Sequence, residues 1–288
     1  MEAVVVSISV VSHDQLPMVL RLMQDAQRVC AGVAMEWIVT LNTQESAEPL
    51  ASLEAAAFPW PVTVLRNPTP KGFGANHNQA FARAQGAYFC VLNPDIRLHD
   101  CPWPALLQAM QQDSVGVVAP VVVGPTGELE DSARRFPTWS MLARKLLGMH
   151  RRIDYVLTED RAQREGDVKG GCRTQGGANI DAKVGIEVDW VAGMFQLFRR
   201  EVYARMGGFD ERFFLYYEDV DLCARMALAG LRAIVCTASR VEHHAQRASH
   251  RQLRYLRWHV HSVLRFLCSD VYRKLGQRRQ DGQLGRQT

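Results

Sequence analysis

Hydrophobic positions in the first 123 residues switch repeatedly between two periods. Residues 4–11 form a β-branched run broken only by serines, which suits a strand covered on both faces. Residues 16–29 follow with Leu16, Val19, Leu20, Met23 and Ala26 at helical spacing. The same reading predicts strands over 36–41, 62–65, 87–92 and 115–123, and helices near 47–57, 73–84 and 103–111. Strands alternating with helices in this way specify an α/β fold with a mostly parallel sheet flanked by helices.

After Gly124 the rhythm changes. A short helix is predicted over 139–149. Residues 151–187 are polar, rich in glycine and charge, and carry neither period, so they read as a long loop or a partly mobile insertion, functional or disordered. Structure is expected to resume over 188–199, followed by a turn at Gly207-Gly208, a helix over 218–229, a strand over 232–237 and a terminal helix over 249–267. The organisation expected is two halves of one domain, 1–124 and 125–248, with a helical tail over 249–288.

Composition narrows the class. With 288 residues, 47% apolar and 22% charged, the chain can bury a sizeable core. No window approaches the roughly 18 consecutive apolar residues of a spanning helix. Met1-Glu2-Ala3 has no basic region before the apolar run, so the N-terminus reads as a first strand and the chain as cytoplasmic. Seven cysteines without a C-x-x-C pair argue against a disulfide framework and a zinc ribbon. The net charge of +4 conceals an asymmetry: from Arg240 onward there are 11 of the 34 Lys/Arg but 3 of the 30 Asp/Glu. A mildly acidic body carries a basic tail.

An α/β sheet invites a dinucleotide fold, yet the first turn, Ser12-His13-Asp14-Gln15, has no glycine. Lys71-Gly72-Phe73-Gly74 lacks the third glycine and the Gly-Lys-Ser/Thr of a P-loop. Oxidoreductase and NTPase readings fall. The strand over 87–92 instead ends in Asn93-Pro94-Asp95, where Pro94 turns the chain out of the sheet. That places a carboxylate at the edge where open α/β sheets bind ligands. Asp95 there could ligate Mg²⁺ or Mn²⁺, which prefer oxygen, or simply serve the turn.

The second cluster is Gly208-Phe209-Asp210-Glu211-Arg212-Phe213-Phe214-Leu215-Tyr216-Tyr217-Glu218-Asp219-Val220-Asp221. Glu218, Asp219 and Asp221 fall at a predicted helix start, whose dipole favours carboxylates. Capping accounts for one; a further carboxylate beside aromatic walls has the fixed position and partial desolvation a general base needs. Finally, Glu242-His243-His244 offers an imidazole that could complete an Asp95 metal site, with either histidine eligible.

The order Lys71-Gly72-Phe73-Gly74-Ala75-Asn76, Leu92-Asn93-Pro94-Asp95, Trp190-Val191-Ala192-Gly193, then Gly208-Phe209-Asp210-Glu211 with the string from Phe213 to Leu222, resembles family 2 glycosyltransferases. Within them it is most similar to the rhamnosyltransferase branch of bacterial cell-surface polysaccharide synthesis. The resemblance spans roughly residues 4–249. It implies an A-type glycosyltransferase fold, a nucleotide-diphospho-sugar donor and inversion by direct displacement. Residue by residue, it implies Asp219 as general base with Glu218 beside it, and Asp95 with His243 at a Mg²⁺ or Mn²⁺ site. It further implies Ser12, Asn42, Asn67, Gly72, Asn76, Asn93 and Asp95 around the donor, and Trp190, Gly193, Asp210 and Glu211 around the acceptor. The first half then binds the nucleotide sugar and the second half the acceptor.

One departure concerns the nucleobase: Leu41 stands where the family usually places an aspartate after the second strand. The implied donor is dTDP-L-rhamnose, with a UDP-hexose as the competing donor. The implied acceptor is a saccharide or lipid-linked saccharide. Leu41 also motivates a non-catalytic sugar-nucleotide-binding role, against which Asp95 and Asp219 stand together. A nucleic-acid partner is not expected, because no basic sheet studded with aromatics is present. The tail, with Leu253, Leu256, Val260, Val263, Leu264 and Leu267 at helical spacing among arginines, either packs on the body or rests on an anionic membrane surface, making the protein peripheral at the inner membrane.

Overall fold

The computed structural model describes residues 4–146, 180–181, 185–244 and 253–280. Its centre is a ten-stranded sheet. Strands β1 (Val6–Ser12), β2 (Met35–Leu41), β3 (Val62–Arg66) and β4 (Tyr88–Leu92) are parallel in the order β3-β2-β1-β4. Helices α1 (Leu16–Val29), α2 (Ala47–Ala55) and α3 (Phe73–Phe81) lie between them in the chain. Two further strands come next, β5 (Ile96–Arg97) and β6 (Val115–Val123), separated by α4 (Trp103–Ala109). Then follow β7 (Ala133–Arg134) and α5 (Trp139–Leu146).

The second half returns to the same sheet. Strands β8 (Ile180–Asp181) and β9 (Gly185–Val188) sit at its far edge, β10 (Trp190–Val191) pairs with β7, and β11 (Phe195–Arg199) inserts antiparallel between β4 and β6. Helices α6 (Arg200–Arg205) and α7 (Glu218–Leu228) precede β12 (Arg232–His243), which runs parallel to β6. The tail is two helices, α8 (Leu253–Leu267) and α9 (Asp270–Gln280).

Side chains alternate between two covered faces along β1: Val6, Ile8 and Val10 enter one apolar cluster with Leu16, Val19, Leu22 and Trp103. The opposite face of the sheet carries a second cluster around Phe89, Phe198, Tyr203, Phe209 and Phe266. The β1 serines face this second side and are satisfied there. Ser7 Oγ donates to Glu36 Oε1 at 2.6 Å, and Ser9 Oγ pairs with His77 Nδ1 at 2.8 Å. Burial pulls the His77 imidazole down to about 3, so it stays neutral.

The structure departs from the sequence reading in both strands and helices. Part of the segment 151–187 is strand: Ile186 and Val188 are buried on β9, which pairs antiparallel with β12. Four residues of alternation inside a polar stretch were too short to register; 151–179 and 182–184 lie outside the described residues. The last long strand extends to His243 instead of stopping at 237, because it passes an irregularity between Cys236 and Arg240 and then resumes pairing with β6. Helix α6 and the second tail helix α9 are additional elements. Helix α8 is described from Leu253, so the predicted start at 249 lies outside the described residues.

Candidate functional site

The parallel strands bring their carboxyl ends to one edge. Ser12 ends β1 and pairs in register with Leu41, which pairs in turn with Arg66. Asn42, Asn67 and Asn93 therefore follow β2, β3 and β4 along the same rim. Three asparagines there tie a loop down. Asn42 Oδ1 accepts from the Lys71 amide at 2.8 Å and from Asn67 Nδ2 at 2.9 Å, Asn67 Nδ2 also reaches Asn76 Oδ1 at 2.6 Å, and Asn76 Nδ2 donates to the Gly72 carbonyl at 2.9 Å. Ser12 Oγ is buried and accepts from the Gln15 amide at 3.0 Å. These side chains shape the rim through bonds among themselves and to the 71–72 backbone.

The glycines of Lys71-Gly72-Phe73-Gly74 serve close packing. A Cβ on Gly72 would stand 2.6 Å from the Phe214 carbonyl oxygen, and one on Gly74 2.7 Å from Phe209 Cβ. The start of α3 can thus lie directly on the aromatic 209–214 segment, where the Phe73 amide donates to the Phe214 carbonyl at 2.9 Å.

Asp95 leaves β4 and is followed at once by β5, which pairs antiparallel with the end of β12: His243 faces Ile96 and Glu242 faces Arg97. This pairing puts His243 Nε2 3.3 Å from Asp95 Oδ2. On the other side of the ring, His243 Nδ1 meets Glu130 Oε2 at 2.6 Å. Burial alone would lower the imidazole pKa; the Asp95 and Glu130 carboxylates overcome it and hold it above its ordinary value. His244 turns away to Glu242, leaving only its amide on the Asp95 carbonyl, at 2.9 Å. Of the two histidines eligible by sequence, His243 is the one beside Asp95.

Among the described residues no three His, Cys, Asp or Glu side chains converge as a ready-made ion cage. A metal that completes its shell with diphosphate oxygens and water does not need three. The donors present fit such an ion: Asp95 Oδ1 is buried with no hydrogen-bond partner, and a His243 that donates from Nδ1 to Glu130 keeps the Nε2 lone pair directed to Asp95.

The carboxylates at α7 are sorted by their surroundings. Tyr216 and Tyr217 both take a φ of 70°, a left-handed conformation costly for non-glycine residues, and swing Glu218 and Asp219 into the first turn. Asp219 Oδ2 accepts from the Gly193 amide at 3.0 Å and Oδ1 from the Val220 amide at 2.8 Å. Burial pushes the Asp219 pKa up, and those amides with the nearby Arg134 guanidinium recover only part of the shift. Glu218 is fully enclosed, with Oε2 unpartnered; burial and then the Asp219 charge drive its pKa well above the carboxylate range. Asp221 pairs instead with Arg225 at 2.8 Å, and Arg225 clamps the Gly208 carbonyl at 2.8 Å. Its part is to hold the 206–208 turn.

Gly193 lies where β10 gives way to β11, and a Cβ there would stand 2.9 Å from Phe73 Cζ. Trp190 donates from Nε1 to the Arg135 carbonyl at 2.9 Å, with the Arg134 guanidinium 5.6 Å from its ring centroid. Asp210 is engaged by Arg212, with Nη2–Oδ2 at 2.6 Å. Glu211 takes Asn78 Nδ2 at 3.0 Å and borders an open cavity of about 550 Å³ with Lys71, Gly72 and Phe214. Glu130 and Arg134 were absent from the sequence reading. Their available signal was position: both follow the carboxyl end of β6, the same edge that made Asp95 conspicuous.

A sequence profile described as Glycosyl transferase family 2 matches residues 38–158. Over 81 residues the chain is 41% identical to the rhamnosyltransferase WbbL of Escherichia coli K12, covering 28% of this chain and 31% of that protein. It is 31% identical over 158 residues to the N-acetylglucosaminyl-diphospho-decaprenol L-rhamnosyltransferase of Mycobacterium tuberculosis, covering 54% of this chain and 46% of that one. These matches span less than half the length of either relative. Among solved structures, GalNAc-T7 with UDP, GalNAc and Mn²⁺ superposes with a TM-score of 0.62 at 15% identity, over 84% of this chain and 43% of that one. A mannosyltransferase from Pyrobaculum calidifontis with GDP-Man and Mn²⁺ gives 0.54 at 15% identity, over 88% and 60%. The architecture is the A-type glycosyltransferase fold.

Proposed function

We propose, for a chain that carries a glycosyl transferase family 2 domain, that it is an inverting glycosyltransferase moving a sugar from a nucleotide diphosphate onto a hydroxyl of a saccharide or lipid-linked saccharide. The finer donor assignment is dTDP-L-rhamnose, supported by likeness to two proteins described as rhamnosyltransferases. The observation that carries the reading is the presence of two carboxylate sites at one sheet edge: Asp95 with His243, and Asp219 against the Gly193 amide.

Asp95 and His243 would hold Mg²⁺ or Mn²⁺, and such an ion supplies positive charge to a departing diphosphate. Asp219 is the general base. Its two oxygens each accept one main-chain amide, which fixes the carboxylate while leaving a lone pair for the acceptor hydroxyl proton. As the acceptor oxygen bonds to the anomeric carbon, the bond from that carbon to the diphosphate breaks and Asp219 takes the proton. Burial and the neighbouring Asp219 charge shift Glu218 toward its neutral form, which limits the negative charge beside the base. Arg134 places a cation near the reacting edge, and Trp190 and Gly193 border the acceptor side. Reaction at the cytoplasmic face of a membrane suits a lipid-linked acceptor; no described helix is long and apolar enough to cross one.

The test is nucleoside diphosphate release from a panel of nucleotide sugars with Mn²⁺ or Mg²⁺. Release from dTDP-L-rhamnose above the others supports the donor assignment, and preference for a UDP-hexose replaces it.

A further inference from the structure

Helix α8 carries a broad apolar face, and the body covers only part of it. Val263, Phe266 and Leu267 are buried in the second core cluster, and Ser262 Oγ donates to the Leu215 carbonyl at 2.9 Å. Those contacts dock the helix. Leu256, Val260 and Leu264, spaced four apart, run along the flank of that buried set and are 58%, 48% and 45% exposed. Isolated exposed leucines need no explanation. This set is aligned, and exposed Arg254, Arg257 and His261 lie along its border. No acidic residue occurs anywhere in α8.

The same half of α8 carries an aromatic cluster on another side. The Trp258 ring lies tilted 4.8 Å from Phe214 and edge-on 5.3 Å from Tyr255, with the Arg254 guanidinium 5.1 Å from the Tyr255 ring. Amphipathic rings with nearby cations are the side chains that settle at a bilayer interface. Phe214 also borders the cavity beside Gly72 and Glu211, so α8 lies next to the rim of the candidate site.

We propose that the outward face of α8, namely Leu256, Val260 and Leu264 bordered by Arg254 and Arg257, seats the protein on an anionic bilayer surface. The surface stands on α8 itself; its use, presenting a lipid-linked acceptor at the cavity rim, rests on the function proposed above. Charge selects the occupant. Residues 253–280 hold seven Lys/Arg and one acid, so a second copy docked through this face would bring like charge against like, whereas an anionic surface gains from each basic residue. The structure also trims the sequence expectation for the tail. Arg273 and Lys274 on α9 are exposed, but Arg278 donates to the Ala227 carbonyl at 3.1 Å and Arg279 pairs with Asp189 at 3.1 Å, so both are spent on the body.

The experiment is flotation of the full chain with vesicles of phosphatidylcholine alone and of phosphatidylcholine with phosphatidylglycerol, at low salt. The wild type should float with the anionic vesicles and not with the neutral ones. Leu256→Ser/Val260→Ser/Leu264→Ser should lower partitioning at least tenfold while nucleotide-sugar hydrolysis in solution stays unchanged. Arg254→Gln and Arg257→Gln should each lower it about fivefold. Indifference to lipid charge, absence of flotation, or retention of flotation by the triple serine variant overturns the proposal. So does a wild-type dimer in solution that the triple variant abolishes. Asp219→Asn should float as the wild type does, so failure of the membrane surface and failure of the transferase reading are read separately.

Discussion

The Gly193 amide donates to Asp219 Oδ2 at 3.0 Å, joining the strand junction between β10 and β11 to the first turn of α7. A Cβ at residue 193 would press on the Phe73 ring, 2.9 Å from Cζ. Gly193→Ala should therefore displace the junction and with it the carboxylate. The expected outcome is a turnover loss of about tenfold or more with donor affinity nearly unchanged, because a small misplacement of a base is costly. Steady-state kinetics beside nucleoside diphosphate titration check it.

Asp219→Asn removes the base and should lower turnover by about 10²–10⁴ with little change in donor affinity. The pH profile adds a sign. Burial raises the Asp219 pKa above 3.8, so the base form, and turnover with it, is lost as pH falls through a value higher than that of an ordinary aspartate. In Gly193→Ala, one hydrogen bond to the charged form is weakened, so the acidic limb should move to higher pH. If Glu218→Gln abolishes turnover while Asp219→Asn retains it, the base is Glu218.

Glu130 orients the ring of His243 through a 2.6 Å contact to Nδ1. Asp95→Asn should abolish the Mn²⁺ dependence of nucleoside diphosphate binding. Glu130→Gln should weaken Mn²⁺ affinity by about 10–100-fold, as loss of a partner behind a ligating histidine does. Calorimetric titration with and without the ion measures both, and unchanged metal dependence in Asp95→Asn contradicts the site.

How far the sequence led depended on the length of each signal. The run over 115–123 and the helical spacing over 16–29 coincide with β6 and α1, because nine buried residues and three turns leave little ambiguity. Asp95, Glu218, Asp219 and His243 were legible as residues. Their juxtaposition was not: it depends on β5, two residues long, pairing with the end of β12 past an irregularity, and nothing in a local period reports a pairing as distant in the chain as Ile96 with His243. Glu130 and Arg134 were passed over for a similar reason, lying in a polar stretch whose meaning comes only from the strand it follows. In the tail, the apolar face of α8 proved to be only partly covered, since spacing alone does not say how much of a face the body reaches.

The asparagine ties predict a stability effect apart from chemistry. Asn42→Ala leaves the part-buried Lys71 amide unmet and takes one of two acceptors from Asn67 Nδ2, and should cost about 1 kcal/mol or more of unfolding free energy. Denaturant unfolding measures it, and a change within a few tenths of a kcal/mol would show that the 71–72 loop is held from elsewhere.

The account stands or falls on donor turnover. Purified protein incubated with Mn²⁺ and nucleotide sugars, dTDP-L-rhamnose among them, is assayed for nucleoside diphosphate release with and without a saccharide acceptor. The predicted result is release that needs the metal, rises with acceptor, and drops by about 10²–10⁴ in Asp219→Asn. Equal release by wild type and Asp219→Asn, or binding of every nucleotide sugar with release from none, would contradict it.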